Sequence, residues 1–234
     1  TLGASAAVAG INKVDLSLTT GAGPNIIDVS AFTASTDTTL IGSTATGAVN
    51  ITGGEGNDKI IAAAGGGTIY GKGGLDNITL GAGVDIVVMG QTTEGSADTV
   101  VGFKTAGADM LYLGDGSVAS NVRTVAKAYL QSHLVIDTAA NLGDTGFNLG
   151  SVNSAVKYAI ASDTGAIYYD ADGNWATNSV KIGSIGTGTG VVAGDVSVNS
   201  AAAVASSITF SVPTITGTAL ALADTTVNGF IDAS

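Results

Sequence analysis

The sequence predicts an all-β protein, a parallel β-roll or β-solenoid with glycine-rich loops, joined to a β-rich C-terminal region and one short helix. Three observations carry this. Asp58, Asp76 and Asp85 fall on one nine-residue grid, each inside a glycine-rich loop. An apolar residue holds its phase through five consecutive nonapeptides, at Ile51, Ile60, Ile69, Ile78 and Val87. Thirty-five glycines against two prolines suit many tight turns between short strands.

The clearest copy of the repeat runs Gly53-Gly54-Glu55-Gly56-Asn57-Asp58-Lys59-Ile60-Ile61. Residues 71–79 repeat it with Lys72 in the second position, and residues 80–88 repeat it with Leu80 in the first. Residues 62–70 stay in phase but carry Gly67 where the aspartate is due. This pattern resembles GGxGxDxUx, with U a large apolar residue, the calcium-binding repeat of the RTX (repeats-in-toxin) family.

The resemblance implies a glycine loop and a very short strand per nonapeptide, with two repeats to each turn of a right-handed parallel roll. Glycines admit positive φ and let carbonyl oxygens converge where a side chain would block them. The apolar eighth residue points inward. Loops on one edge then recur every 18 residues, so Asp58 and Asp76 face one another on adjacent turns. Calcium is a hard cation that takes six to eight oxygens at about 2.3–2.6 Å. The two carboxylates, with carbonyls of Gly53, Gly54, Gly56, Gly71, Gly73 and Gly74, supply such a set. On the opposite edge Asp85, with Gly81 and Gly83 in its loop, lies 18 residues after Gly67, so its site is expected to be weak or vacant. Glu94 stands in the aspartate position of the degenerate loop 89–94. About two to four calcium ions are expected in all. The competing reading takes the glycines as plain solenoid turns and the aspartates as solvated turn formers, but it does not require aspartate at a fixed phase.

The likeness continues past the repeats. Residues 97–113 are similar to the segment DxIxDFxxGxDxIxL that ends RTX rolls. Asp98 and Asp109 fall on its outer acidic positions, while Gly102 replaces its inner aspartate. By this resemblance Asp98 and Asp109 close the last calcium sites. Ala166-Ile167-Tyr168-Tyr169-Asp170-Ala171-Asp172-Gly173-Asn174 is similar to the LYYDADGNG hairpin found downstream of many such rolls. Together these likenesses cover residues 44–114 and, less closely, 158–186. They imply export through a type I secretion apparatus, which reads an uncleaved C-terminal signal. The composition, rich in Thr, Ser, Ala, Gly and Val, is most like that of a bacterial surface-layer protein or a large adhesin.

Composition bounds the rest. Hydrophobic residues make up 45% and charged residues 12%, far from the profile of a disordered chain. So few charges suit a crowded assembly in which neighbours cover most of the surface. The formal charge is −11 with no basic run, which argues against nucleic-acid binding. The absence of cysteine excludes disulfides and zinc–thiolate sites, and leaves calcium as the expected staple of a secreted chain. No apolar run reaches the ~18 residues of a membrane helix. The chain opens on Thr1 without a signal peptide and is expected to be the C-terminal piece of a larger protein.

Three regions follow. Residues 1–43 carry β-rich runs (Val14 to Leu18, Ile26 to Val29, Leu40-Ile41) and are expected to start or cap the solenoid. Residues 44–114 form the roll with its closing segment. Residues 115–234 form a β-rich capping and secretion region. Within it, residues 118–132 are the helix candidate, because Val122, Val125, Ala126, Tyr129 and Leu130 make one apolar stripe. That helix is expected to pack over the open end of the roll, a partner-binding groove being the alternative. His133, the only histidine, cannot form a paired-histidine zinc motif. Asp170, Asp172 and Asn174 resemble the opening of a calcium loop, but Lys181 stands where its bidentate Glu belongs, so a hairpin turn is favoured over a further site. Trp175, the sole tryptophan, is expected beside that turn. Residues 186–234 alternate small polar with apolar residues, as in Ile208 to Val212. No nucleophile elbow, phosphate loop or dinucleotide fingerprint is present, so no catalysis is expected.

The function expected from this sequence is a calcium-dependent structural and assembly module of a secreted, S-layer-like surface protein. Its expected partners are calcium ions, further copies of itself or a cell-surface polysaccharide, and the secretion apparatus. The alternatives are the non-catalytic tail of an RTX protease, lipase or epimerase, or an adhesin.

Overall fold

A computed structural model describes residues 2–18, 25–33, 36–42, 47–89, 97–105, 108–114, 134–142, 156–170, 179–187 and 190–198. Among the described residues the chain is mostly β, with parallel sheets and short helical segments. Its strands are β1 (Lys13–Asp15), β2 (Asn25–Asp28), β3 (Thr39–Ile41), β4 (Val49–Thr52), β5 (Lys59–Ile61), β6 (Gly67–Tyr70), β7 (Asn77–Thr79) and β8 (Asp85–Met89). They continue as β9 (Asp98–Val101), β10 (Met110–Leu113), β11 (Leu134–Asp137), β12 (Tyr158–Ala161), β13 (Ala166–Tyr169), β14 (Val180–Ser184) and β15 (Val196–Val198). Among the described residues the helices are α1 (Ala4–Val8) and α2 (Ala139–Leu142), and Ala193–Asp195 forms a 3-10 turn.

From β2 to β10, successive strands alternate between two sheets. One sheet runs β1-β3-β5-β7-β9-β14-β13-β12-β11 and the other β15-β10-β8-β6-β4-β2. Each strand pairs in parallel with the strand two places on in the chain. In the repeat region that step is one pair of nonapeptides: Lys59 pairs with Asn77, and Gly67 with Asp85. The reason is the pattern itself. A strand of three or four residues has one or two inward positions, and the apolar eighth residue fills one of them. Ile51, Ile60, Ile69, Ile78 and Val87 are all buried in one core between the sheets, with Ile27, Leu40, Val100 and Leu111. Burial of each such side chain contributes about 2 kcal/mol before entropy is counted. A one-residue slip would turn the whole row outward, so the register is strongly specified.

The first coils differ in length. Thr39 pairs with Lys59, and Asn25 with Val49, so β1 to β4 extend both parallel sheets upstream of the repeats on irregular spacings. The sequence reading put only strands before residue 43, whereas Ala4–Val8 is helical. Leu2, Ala6 and Ala7 pack against the end of the core. The expected strand over 14–18 stops at Asp15, and Leu18 is exposed.

Downstream, the pattern changes. Strand β14 pairs in parallel with β9, Gly183 opposite Asp98, while β13 pairs antiparallel with both β14 and β12. Strand β15 adds to the other sheet beside β10, Leu111 opposite Val196. Among the described residues no helix is long and apolar enough to cross a membrane. The expected helix at 118–132 lies outside the described residues, as do Glu94, His133, Asp172, Asn174, Trp175 and Ile208–Val212.

Candidate metal centre

The loops that join the two sheets stack on two edges, and each edge collects buried carboxylates. On the first edge stand Thr38, Asp58, Asp76 and Asp98. Asp58 Oδ1 accepts hydrogen bonds from the Thr38 amide (2.8 Å) and the Thr38 hydroxyl (2.6 Å). Its Oδ2 accepts one from the Gly54 amide at 2.8 Å. The next two coils repeat the link. Asp76 Oδ1 accepts from the Asp58 amide at 2.8 Å, and Asp98 Oδ1 from the Asp76 amide at 3.1 Å. Each carboxylate thus holds the backbone of the coil before it.

The second edge is shorter. Asp109 Oδ1 accepts from the Asp85 amide (3.0 Å), and its Oδ2 from the Lys104 amide (2.7 Å). Asp85 Oδ2 accepts from the Gly81 amide at 3.1 Å, and Gly67 stands opposite Asp85 in the strand register. The pairing of Asp58 with Asp76, and the gap at Gly67, are where the sequence placed them.

Asp98 and Asp109 were assigned by resemblance alone, and the structure brings both to the edges. Asp98 lies 22 residues after Asp76, although the grid puts the next rung at 76 + 18 = 94. Strand β9 begins at Asp98, so Asp98 rather than the grid position stands opposite Asp76. Asp109 likewise lies 24 residues after Asp85. Sequence reasoning missed Thr38. Its signal is the match of Leu40 to Ile60, a coil two residues longer than the grid allows. It also missed Asp195, which reaches the Asp109 loop through Lys104.

The glycines are required because successive loops lie directly on one another. A Cβ at Gly71 would fall on the Asp76 carboxylate, and one at Gly53 on the Gly71 carbonyl. Gly74 stands at φ +103° over the Gly56 carbonyl, Gly73 donates its amide to the Gly54 carbonyl at 3.1 Å, and Gly83 abuts the backbone of Gly65 and Gly66. Lys72 fills a glycine position at φ 72°. Its ammonium reaches Glu55 Oε1 (2.6 Å) and the Ser30 carbonyl (3.0 Å).

The electrostatics are lopsided. Ion pairs among the described residues include Lys13–Asp15, Lys72–Glu55 and Lys104–Asp195. Asp58, Asp85 and Asp109, all fully buried, are held only by amide and hydroxyl donors. A buried carboxylate without a counter-charge resists ionisation. Burial pushes the Asp58 carboxyl above its usual range, against the Thr38 hydroxyl and the Gly54 amide, which pull it down. Burial lifts Asp85 to about 7, opposed by the Gly81 amide, reinforced by nearby Asp109 and opposed again, more weakly, by the Gly67 amide. Asp85 Oδ1 is buried and accepts no hydrogen bond.

These features fit a hard divalent cation. The buried carboxylates of Asp58, Asp85 and Asp109 are held by neutral donors, Asp85 Oδ1 lacks a donor, and the side-chain-free glycine loops bring carbonyls alongside. Among the described residues no three His, Cys, Asp or Glu side chains converge on one point, so main-chain carbonyls must complete any oxygen shell. Asp170, the other acidic residue singled out from the sequence, is buried at the end of β13, its amide on the Lys157 carbonyl at 2.9 Å. Compared with known proteins, the chain matches no family model, no curated protein and no solved structure.

Proposed function

We propose that this chain is a calcium-dependent structural and assembly module of a secreted bacterial cell-surface protein, S-layer-like in character, built around an RTX-type β-roll. The observation that carries the reading is the pair of stacked columns of buried aspartates, with Asp58, Asp85 and Asp109 held by amide and hydroxyl donors beside closely stacked glycine loops. Asp58 and Asp76, with the 53–56 and 71–74 loops, would hold one ion. Asp76 with Asp98, and Asp85 with Asp109, would hold others.

Bound calcium supplies the positive charge and the strong oxygen-binding site that these buried carboxylates lack. Without it, the aspartates either take up protons or repel one another, and the coils lose what holds loop to loop. In a calcium-poor cytoplasm the chain therefore stays open enough to thread a secretion channel. Outside the cell the same residues close the roll. For extracellular sites with Kd about 10⁻⁴–10⁻³ M, about 10 mM calcium adds roughly 1.4–2.7 kcal/mol per site. Three coupled sites add several kcal/mol, comparable with the whole stability of a marginal domain.

The test is a calcium titration from a chelated start, followed by far-UV circular dichroism and Trp175 fluorescence, with magnesium as control. A cooperative, calcium-selective gain of β-structure is expected, and light scattering then reports self-assembly. A flat titration would leave the glycine–aspartate repeats as scaffold and end the proposal.

A further inference from the structure

Lys104 sits where three parts of the chain meet. It occupies the left-handed region at φ 57°, which a non-glycine residue seldom adopts unless its surroundings hold it there. Two anchors hold it there. Its amide donates to Asp109 Oδ2 at 2.7 Å, and its ammonium meets Asp195 Oδ2 at 2.7 Å with the Gly190 carbonyl at 3.5 Å. Both partners of the ion pair are largely sheltered, with side chains 26% and 18% exposed.

Each anchor leads further. Asp109 Oδ1 accepts the amide of Asp85, so one end of the chain of bonds lies in the second loop edge. Asp195 Oδ2 also accepts the Val192 amide at 2.8 Å, which closes the turn that leads into β15. Val191 and Val196, on either side of that turn, are buried in the main core, and β15 completes the sheet beside β10. An unbroken series therefore runs from Asp85 through Asp109, Lys104 and Asp195 to Val192. It joins segments 91 residues apart in sequence at Lys104 and Asp195.

We infer that Lys104 is a latch that makes docking of the C-terminal segment 190–198 conditional on ordering of the Asp85–Asp109 edge. Until Asp109 fixes the Lys104 backbone in its left-handed turn, the ammonium is not presented to Asp195. The last strand of the second sheet then has no charged anchor. Resting on the calcium reading above, the latch makes the C-terminal segment the last part of the described chain to fold after calcium arrives. In a calcium-poor compartment the latch stays open and that segment stays undocked.

The test is hydrogen exchange of residues 50–62 and 190–198 through a calcium titration of the full 234-residue chain. Three forms are compared: the parent, Asp195→Asn, and Lys104→Arg. In the parent, both segments should gain protection with one calcium midpoint. In Asp195→Asn, 50–62 should keep its midpoint while 190–198 exchanges about tenfold faster at saturating calcium. Lys104→Arg, which keeps the cation and leaves Asp195 to accept the Val192 amide, should retain most of the parent's protection. If 190–198 is protected in chelator, or equally protected in Asp195→Asn, the latch is overturned while the calcium response of 50–62 stands. If 50–62 is itself indifferent to calcium in the parent, the calcium reading falls and the latch falls with it.

Discussion

The two loop edges are built from the same nonapeptide, yet they satisfy their aspartates differently. On the first edge Asp58 receives three hydrogen bonds, two of them from Thr38 in the coil before it. On the second edge Asp85 finds Gly67 at the equivalent place, and its Oδ1 is buried without a donor. Thr38 donates through a hydroxyl as well as an amide, whereas glycine has no side chain to offer. One missing side chain therefore changes a stacked column into an interrupted one. The first edge is tied rung to rung by hydrogen bonds, and the second leaves one carboxylate oxygen of Asp85 without a donor.

The sharpest way to break this comparison is Asp76→Ala. It removes the acceptor of the Asp58 amide and the middle carboxylate of the longer column, with an expected loss of about 4 kcal/mol in calcium. Denaturant unfolding at fixed calcium measures it. A variant that folds at the parent's calcium concentration would sink the calcium reading.

The pH dependence of the metal-free chain is the next effect in size. Asp85 has a folded-state pKa of about 7 against an ordinary value of 3.8, and Asp58 is shifted in the same direction. For an acid shifted upward, the folded state holds its proton longer than the unfolded one. The stabilisation is present in full below the ordinary value, and it is lost as pH rises through the folded-state value. Stability in chelator should therefore fall between about pH 4 and pH 7, by up to about 1.4 kcal/mol per unit for each such group. Asp85→Asn should flatten that slope. Saturating calcium should do the same, because its ligands are ionised when bound. Thermal melts in chelator from pH 4 to 8 check both, and a slope of opposite sign would contradict the burial argument.

Gly67→Asp sharpens the comparison from the other side. It restores the aspartate of the grid, but a Cβ there falls on the Val49 carbonyl of the preceding coil. The expected outcome is a loss of about 2 kcal/mol rather than a repaired edge. If the variant gains stability in calcium, the coils are looser than their stacking implies. The smallest effect is the control: Val101→Thr, on the exposed outer face of β9, should change stability by less than about 0.5 kcal/mol.

How much was legible in the sequence depended on whether spacing alone carried the information. Within residues 47–89 it did. The apolar eighth position and the glycine-flanked aspartate are local patterns, and their nine-residue period specifies which side chains turn inward and which carboxylates share an edge. Outside that stretch the arithmetic fails, because coil length is no longer constant. Thr38 joins the first edge two residues off the grid, and Asp98 takes the rung due at position 94. The α1 helix was hidden because five residues are too few to show an apolar stripe.

By itself, then, the sequence determined the β class, the strand register of the repeats, the inward isoleucines and the stacking of Asp58 on Asp76. Only the tertiary structure decided which residues end the columns, that β12 to β14 join as an antiparallel extension beside β9, and that Lys104 reaches Asp195. The first set follows from neighbours in the chain, whose geometry a period records. The second set is chosen by contacts between distant segments, where pairing and burial select among spacings that the sequence leaves open.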